Sequence, residues 1–449
     1  MLYELPSMMK ARPPAWPQGI GSVPARLQDG SLVQIPVLKD TNVLAIGVTG
    51  TGKTVYTAAA AESQLAAVPD TLAVFFETKR SYLTRFHRNG DKVIAYDAAA
   101  VGEEHLFRWN MVREIRLARN PEAEMRKIAD HQFADLLKDS GPNRVWVEAA
   151  RETFIGVLRV IVFCTSDCTT NWNVVNAMRN MPVEKLLSYL ARHPRNHSLL
   201  TKSFGYPVDN PASYRPPKRA GDIQFFLNSV LNGFSGAFES NGDDTIADFL
   251  HGRYGRRLFI LYDLADAEIS RPFILYFLKK LKDEKMSLSS DVKAPMLWVM
   301  DEADKIASGG QDGDFGLYQA ATLGREYALQ ILLATQSIEN LYALVPDFNE
   351  HIAEGGYSGF PVVVAYRPGD PSTISTLQTL FGSQYREVST LGMSRYAPPA
   401  VKCELQPAVT DSDFASLGLG QCYVKIQSHS PRKVTWPRRP GRAYRQWSR

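Results

Sequence analysis

A glycine-rich octapeptide, Gly47-Val-Thr-Gly-Thr-Gly-Lys-Thr54, matches the pattern GxxxxGK[ST] at every fixed position. Its glycines allow the backbone to turn several N–H groups toward one anion, and a helix directly after it would add a positive N-terminal dipole. Lys53 can reach the β- and γ-phosphates of a nucleotide, and the Thr54 hydroxyl can ligate Mg²⁺. The octapeptide therefore predicts a site for ATP and Mg²⁺, and its predicted contact residues are Gly47, Val48, Thr49, Gly50, Thr51, Gly52, Lys53 and Thr54.

An acidic pair follows the apolar run 296–300. A buried strand that ends in a carboxylate would place Asp301 at the carboxyl edge of a sheet, beside the glycine-rich loop, where it holds the water shell of the metal. The adjacent Glu302 has the usual position of a base that activates water. Asp301 is thus predicted to bind the cofactor and, with Thr54, the metal, and Glu302 is predicted to be catalytic.

Two more polar residues flank a third apolar run, 330–334. Gln336 comes at its end, where a side-chain amide could sense the γ-phosphate or the attacking water. A capped turn is the alternative role for a glutamine at the end of a strand. Arg325 precedes the run, and from the residues alone it is a solvated surface charge.

The elements around these residues indicate a doubly wound α/β domain with a parallel sheet. A short apolar run at 43–46 precedes the glycine-rich loop, a helical pattern at 55–65 follows it, and another strand is predicted at 72–76. Strand patterns return near the C-terminal half, at 258–262, 296–300, 330–334 and 361–365, with a helix predicted at 271–284. The predicted fold class is α/β, a RecA-like P-loop NTPase domain with a mixed or parallel central sheet.

The middle of the chain has a different periodicity, with apolar residues at helical spacing and few strand signals. Helices are predicted at 122–137, 145–163, 173–181 and 183–192, and a proline-rich loop, 207–217, closes this region. We therefore predict an all-α domain inserted in the α/β domain. The predicted division is an extended lead-in with one hairpin (1–40), the first part of the nucleotide-binding domain (41–105), the inserted domain (106–225), the second part of the nucleotide-binding domain (226–430) and a basic tail (431–449).

Composition excludes disordered and fibrous classes, because 45% of the 449 residues are hydrophobic and 22% are charged. The net charge of +4 is too small to indicate a nucleic-acid partner, but the last 18 residues are basic and interleaved with aromatic residues. Such a tail can contact phosphates and stack on bases; the alternative is a solvated chain end.

Four cysteines do not make a disulfide framework in a chain of this length, so we expect reduced thiols and a cytosolic compartment.

At this set of motifs the chain resembles the type IV secretion coupling proteins, the TraG/TraD-like ATPases of conjugative DNA transfer, which are related to the FtsK and HerA motors. The acidic strand is followed 24 residues after Asp301 by Gly324-Arg325, and eleven residues later by the glutamine of Ala-Thr-Gln336-Ser. Further similar segments, which depart from the family pattern at single positions, are Phe76-Glu-Thr-Lys79, Phe107-Arg-Trp-Asn110 and Trp146 with Ala149-Ala150.

The resemblance implies a homo-hexameric ring, ATP hydrolysis between subunits and delivery of substrate to a membrane channel. It implies catalytic roles for Arg325, as an arginine supplied to the neighbouring subunit, and for Gln336. Family members usually carry transmembrane helices before the phosphate loop, whereas the 46 residues before Gly47 contain no apolar run long enough. We expect a cytoplasmic protein at the inner face of the cell membrane, held by a partner or by an anchor missing from this sequence.

The predicted function is a ring-forming ATPase that recruits or translocates DNA, or a relaxase–DNA conjugate, to a secretion channel. One alternative is a HerA-like motor in DNA processing or phage defence. A second alternative is an ATP-gated receptor for secreted proteins that does not touch DNA. Stimulation of the ATPase by DNA distinguishes this last alternative from the other two.

Overall fold

The computed structural model describes residues 16–97, 101–165, 169–209, 215–234, 236–239, 241–287, 294–307, 314–344, 359–390 and 400–436. The chain divides into two compact units. The first unit comprises 1–71, 294–304 and 317–443, and the second comprises 72–293, 305–316 and 444–449.

The strands of the described residues alternate with helices over most of the chain. In chain order the strands are β1 (Gly21–Leu27), β2 (Leu32–Val37), β3 (Val43–Ile46), β4 (Leu72–Glu77), β5 (Lys92–Ile94), β6 (Arg257–Leu261), β7 (Met296–Asp301), β8 (Leu329–Thr335), β9 (Val362–Ala365), β10 (Ser383–Thr390), β11 (Ala400–Pro407), β12 (Gln421–Ile426) and β13 (Arg432–Thr435).

The helices include a long uninterrupted series in the middle of the sequence. They are α1 (Lys53–Ala67), α2 (Ser81–Phe86), α3 (Met111–Leu117), α4 (Pro121–Asp139), α5 (Arg144–Cys164), α6 (Asn171–Asn180), α7 (Val183–Leu190), α8 (His197–Leu199), α9 (Arg219–Leu231), α10 (Ile246–Leu250), α11 (Ala267–Ser287), α12 (Leu317–Leu323), α13 (Ile338–Leu344), α14 (Pro371–Phe381) and α15 (Asp411–Ala415).

The first unit is built on a mixed sheet with the strand order β2-β1-β13-β12-β9-β3-β8-β7. The strands β9, β3, β8 and β7 are parallel, whereas β12 pairs antiparallel with β9, and the strands beyond it are also antiparallel. Every residue of β3 and β8 is buried. Strands covered on both faces need apolar residues at every position, which explains their continuous hydrophobic sequences.

The register of the parallel strands brings their carboxyl ends to one edge of the sheet. Ile46, the last residue of β3, is opposite Thr335 of β8, and Asp301 of β7 is opposite Ala334. The loops that follow β3, β7 and β8 therefore leave the sheet side by side. This edge is where ligands bind in open α/β sheets.

The second unit contains the parallel strands β4, β6 and β5, in that order, and the helices α2 to α11. Between β5 and β6 the described residues form helices, with Trp109 joined to Asp244 by an isolated bridge. Aromatic side chains make much of its core: the Trp109 ring lies 5.1 Å from that of Phe277, and the Phe238 ring stacks 4.2 Å from that of Phe273.

The boundaries of the predicted regions do not coincide with the ends of the observed helices and strands. The predicted boundary at 225 lies inside α9, because the proline-rich loop comes before this helix and α9 continues to pack its apolar face through Leu227 and Leu231. Within the predicted lead-in, β1 and β2 form an antiparallel hairpin. At the predicted tail, residues 432–435 are strand β13 and Trp436 is buried, so these residues belong to the sheet. Residues 437–449 lie outside the described residues.

Candidate nucleotide site

The glycine-rich loop connects β3 directly to α1, as the pattern requires. Gly47, Gly50 and Gly52 have φ angles of 149°, 81° and 117°, which residues with a side chain rarely adopt. A Cβ atom on Gly47 would lie only 2.6 Å from the Cβ of Tyr366. The loop therefore needs glycine at this position both for its backbone conformation and for its close contact with the chain after β9.

Lys53, the first residue of α1, folds back over the loop. Its Nζ donates hydrogen bonds to the carbonyl oxygens of Gly47 at 2.5 Å and Val48 at 3.1 Å, and the residue is only 6% exposed. The ammonium group is thus held above the N-terminus of α1, where the backbone N–H groups also point. This arrangement concentrates positive charge in a cradle suited to phosphate oxygens.

Thr54 and Asp301 meet at the edge of the sheet. The Thr54 Oγ1 donates a hydrogen bond of 2.7 Å to the Asp301 Oδ2, although the two residues are 247 positions apart. A hydroxyl and a carboxylate oxygen in contact, beside a phosphate cradle, are the donor set that Mg²⁺ uses in P-loop proteins. The two predicted metal residues therefore fit Mg²⁺ together with oxygens of the nucleotide and of water.

Glu302 is held in an unusual backbone conformation next to this pair. Its φ is 56°, its N–H donates to the Ala334 carbonyl oxygen at 3.1 Å, and the residue is 9% exposed. The Gln336 Nε2 donates a hydrogen bond of 3.3 Å to the Glu302 Oε1. The two predicted catalytic residues at the carboxyl edge are therefore in contact, with the carboxylate oriented by the amide.

A second buried acid supports this edge and was missed in the sequence. Asp304 is 5% exposed, accepts a hydrogen bond of 3.0 Å from the Asn340 Nδ2 and lies 3.4 Å from the Thr335 hydroxyl. It thereby ties the segment after β7 to the start of α13. The only sequence signal is its position two residues after Glu302, which does not distinguish it from a helix cap.

The opposite wall of the loop comes from the chain after β9 and from the turn before β12. The Tyr366 hydroxyl donates to the Gly52 carbonyl oxygen at 3.1 Å, and the Gly420 N–H donates to the Thr51 carbonyl oxygen at 3.1 Å. These residues were also missed in the sequence. Tyr366 directly follows a predicted strand, so the argument that identified Gln336 could have found it.

Arg325 lies away from the other predicted site residues. It is exposed and belongs to the 3₁₀ turn Gly324–Tyr327, which precedes β8, whereas Gln336 follows β8. The seven residues of β8, at about 3.3 Å each, separate the two ends by roughly 20 Å. The structure thus brings together the loop, Asp301, Glu302 and Gln336, and leaves Arg325 at the other edge of the sheet.

The described residues offer little support for a cluster of metal ligands, a disulfide or a membrane-spanning helix. No group of three or more His, Cys, Asp or Glu side chains there could hold a metal ion. Cys164, Cys403 and Cys422 are free thiols, and Cys168 lies outside the described residues. No helix among the residues searched is both long and apolar enough to cross a bilayer.

The loop, the acidic strand and the sheet order define a P-loop nucleotide-binding fold, so the predicted α/β class is confirmed. A family model described as "Type IV secretion-system coupling protein DNA-binding domain" matches residues 28–433. The chain belongs to this family, and the predicted resemblance is confirmed.

Solved structures with the same fold include the bacterial conjugative coupling protein TrwBdeltaN70 in a trigonal form with sulphate (TM-score 0.64, 20% identity, 92% of this chain and 89% of that chain). Plasmid coupling protein TrwB in complex with ADPNP is similar (TM-score 0.63, 20% identity, 92% and 89%). So is VirB4 of Thermoanaerobacter pseudethanolicus (TM-score 0.55, 14% identity, 95% and 99%). No curated protein sequence matches the chain.

Proposed function

We propose that this chain is an ATPase that hydrolyses ATP with Mg²⁺ and uses the energy to recruit or translocate DNA, or a relaxase–DNA conjugate, to a type IV secretion channel. The observation that carries the proposal is the pairing at one sheet edge of Thr54 with Asp301 and of Glu302 with Gln336, next to Lys53. These pairs hold a metal-binding group and a candidate base beside one phosphate cradle.

The position of each residue suits it to one step of nucleotide binding or hydrolysis. Lys53 exchanges the carbonyl oxygens of Gly47 and Val48 for the β- and γ-phosphate oxygens, so that nucleotide binding replaces contacts already made in the loop. Glu302 accepts a proton from the water that attacks the γ-phosphorus, and Gln336 orients that carboxylate. Mg²⁺, held through Thr54 and Asp301, supplies charge neutralisation at the phosphates.

Relatives support the nucleotide, the metal and the nucleic acid. TrwB has been solved with ADPNP, with GDPNP and with ADP and Mg²⁺. The family to which this chain belongs is described as a DNA-binding domain of coupling proteins. By extension we assign the same nucleotide class and metal to the loop of this chain, and DNA to its substrate.

Assembly into a homo-hexamer is part of the proposal, because Arg325 is too far along β8 to reach the site of its own chain. A guanidinium from a neighbouring subunit would offset charge that develops on the γ-phosphoryl oxygens. Residues 106–225 are proposed to select substrates or partners. A partner protein would hold the ring at the membrane.

An ATPase assay with and without single- and double-stranded DNA, on protein of measured oligomeric state, tests the proposal. We expect Mg²⁺-dependent hydrolysis that increases several-fold with DNA and with assembly. A hydrolysis rate that neither single- nor double-stranded DNA changes would instead favour the receptor for secreted proteins. The absence of any hydrolysis under conditions of assembly would contradict the proposed function.

A further inference from the structure

The stretch 183–219 of the second unit carries basic side chains that have no carboxylate partner among the described residues. It contains seven Lys or Arg residues and two Asp or Glu residues. Arg195 pairs with Glu122, and Arg192 lies over the Tyr189 ring. Within the part of the chain that the structure describes, the other five form no ion pair; they are Lys185, Lys202, Arg215, Lys218 and Arg219. These described carboxylates therefore do not neutralise their positive charge.

Arginines of the neighbouring helices are paired, which makes this stretch different. Arg159 of α5 and Arg179 of α6 each lie 2.8 Å from a carboxylate oxygen, and Arg271 of α11 lies 3.1 Å from one. In these three helices an acid thus stands beside the arginine. The stretch 183–219 is instead a local excess of positive charge, which attracts anions.

Arg219, the first residue of α9, lies against the turn at Gly205. Its Nη2 is 3.2 Å from the position that a Cβ on Gly205 would take, and Gly205 has a φ of 63°. Glycine at this position thus suits the left-handed backbone and leaves the edge of the guanidinium uncovered. Two exposed lysines flank the arginine: Lys218 directly precedes it, and Lys202 precedes Gly205 by three residues, about one helical turn. The three basic side chains can therefore reach one anion.

The guanidinium of Arg219 forms no hydrogen bond to any described residue, although its Nε is buried. An arginine has five N–H donors, and buried donors in proteins are nearly always satisfied. Asp222, three residues further along α9, is the nearest acid on this helix, and within the described residues it accepts none of these bonds. Rotation of the guanidinium toward a ligand would therefore break no hydrogen bond.

We infer that Arg219, Lys202 and Lys218 form a binding site for a phosphate group, separate from the glycine-rich loop. The planar guanidinium can donate two parallel N–H bonds to phosphate oxygens, and the lysines add charge without a fixed direction. The phosphate can belong to the backbone of DNA or to a free phosphorylated small molecule, because both present the same oxygens. The site goes beyond the proposed function, since it needs neither ATP nor hydrolysis.

The test measures anion binding in a chain whose glycine-rich loop cannot compete. Every sample carries Lys53→Ala, which removes the charge with which the loop holds phosphates, and circular dichroism verifies folding. Arg219→Gln and Lys202→Gln are added singly. Arg119→Gln is the matched control, because Arg119 is an exposed arginine of the same unit and forms no ion pair with a described residue. Inorganic pyrophosphate is titrated by calorimetry, and a short single strand and a short duplex of DNA are titrated by fluorescence anisotropy.

We expect Arg219→Gln to weaken the binding of at least one of these ligands about tenfold, through the loss of a charge-assisted hydrogen bond. Lys202→Gln should weaken the same ligand about threefold, and Arg119→Gln should leave its affinity unchanged. An effect on pyrophosphate alone identifies a free phosphorylated molecule as the ligand. An effect on DNA, with the slope of log affinity against log salt reduced by about one, identifies the DNA backbone.

Several results would overturn the inference. A chain with Lys53→Ala that bound neither pyrophosphate nor DNA would have no second phosphate site. Unchanged affinities in Arg219→Gln, or an equal loss in Arg119→Gln, would show that the cluster is not a specific site. If Arg219→Gln failed to fold, unchanged affinities in Lys202→Gln would overturn the inference instead, because Lys202 is exposed and its replacement leaves the core intact. The absence of ATP hydrolysis in the wild-type protein would contradict the proposed function and would leave these results as they are.

Discussion

Glu302 combines an unfavourable backbone conformation with a position at the candidate site. A φ of 56° costs a residue with a Cβ about 1 kcal/mol, so its neighbours must hold it there. Its N–H is bonded to Ala334 of the adjacent strand, and its carboxylate accepts from Gln336. Strain of this kind is typical of residues whose orientation matters for chemistry.

Lys53→Ala and Glu302→Gln should impair the protein in different ways. Lys53→Ala removes the charge that offsets the β- and γ-phosphates, so ATP binding should be lost. Glu302→Gln keeps the shape of the side chain and removes only its ability to accept a proton. ATP should still bind, and turnover should fall by about 10² or more. Equilibrium ATP binding and steady-state hydrolysis measure the two effects separately.

The exposed residues Lys39 and Glu404 provide controls for these two substitutions. Lys39→Ala and Glu404→Gln make the same chemical changes away from the site and should leave binding and hydrolysis near wild-type values. If Lys53→Ala and Glu302→Gln lost ATP affinity equally, the assignment of Glu302 as the base would be wrong.

The sequence can indicate which distant residues meet in the folded chain when one residue type at one spacing marks them. Lys53, Thr54 and Asp301 are such residues, because only a lysine, a hydroxyl and a carboxylate after a buried strand suit phosphate and Mg²⁺. Asp304 could not be found this way. Its role depends on the position of α13, which only the packed structure determines.

At the scale of elements, α5 shows which features of a helix the periodicity of its sequence predicts. The predicted helix at 145–163 is observed as Arg144–Cys164, with Phe154, Leu158 and Ile161 buried. Trp146 is only half-buried, since it lies in the first turn of the helix, where the neighbouring residues are exposed. Periodicity thus predicts which face of a helix is buried, whereas tertiary packing determines which end of the helix is covered.

Phe154→Ala should destabilise the second unit by about 3–5 kcal/mol, because a fully buried ring leaves a cavity. Phe163, on the same helix, is 48% exposed and provides the matched control. Phe163→Ala should change the free energy of unfolding by less than about 1 kcal/mol. Urea unfolding followed by far-UV circular dichroism measures both, and equal effects would contradict the observed packing of α5.

A buried charged cluster joins α3, α4 and α11. The Lys280 Nζ lies 3.0 Å from the Glu124 carboxylate and 2.8 Å from that of Glu284, and Glu114 is 4.0 Å away. The Glu114 Oε2 accepts from the Ile246 N–H, whereas its buried Oε1 accepts no hydrogen bond. Burial raises the pKa of Glu114 to about 7, although the charge of Lys280 opposes the rise.

Stability should therefore fall as the pH rises from about 4.5 to about 7. In this window Glu114 is ionised in the unfolded chain and protonated in the folded one, so the folded state binds more protons. Glu114→Gln removes the titration and should raise the free energy of unfolding at pH 8 by about 2 kcal/mol, with little change at pH 4. Urea unfolding at both pH values measures the difference.

Glu148, exposed on α5, supplies the control for this substitution. Glu148→Gln should change the free energy of unfolding by a similar small amount at both pH values. A Glu114→Gln variant whose effect did not depend on pH would show that folding does not raise the pKa of this carboxyl group.

At the scale of the whole chain, the class of fold followed from the order of strand and helix patterns around the glycine-rich loop. The compact units of the structure depend instead on which strands pair. The second unit begins at Leu72, and its first strand, β4, pairs with β6, which in turn pairs with β5. Local patterns carry no record of such pairings between distant segments.

Arg325 should act on the site of a neighbouring subunit. Arg325→Ala and Glu302→Gln should each be nearly inactive, since an inserted guanidinium contributes about 10³–10⁵ in rate in comparable enzymes. In mixed rings some pockets combine an intact Glu302 with an intact Arg325 from the neighbour, and partial activity should return. Hydrolysis measured against the mixing ratio tests this.

The mixing experiment requires proof that the subunits have exchanged, for example by energy transfer between labelled subunits. Arg253→Ala, which removes an exposed arginine of the second unit, serves as the control and should remain active alone. No recovery in exchanged rings would place Arg325 outside the site of the neighbour.

Because β8 separates Arg325 from Gln336, the number of complete active sites in an assembly depends on whether its subunits form an open row or a closed ring. A subunit that gives its arginine at one edge and receives one at the other makes a head-to-tail contact, so both of its faces are used and they differ. An open row of such subunits always has one pocket without an arginine. Closing the row into a ring completes that last pocket, so the rate per subunit should step upward at closure.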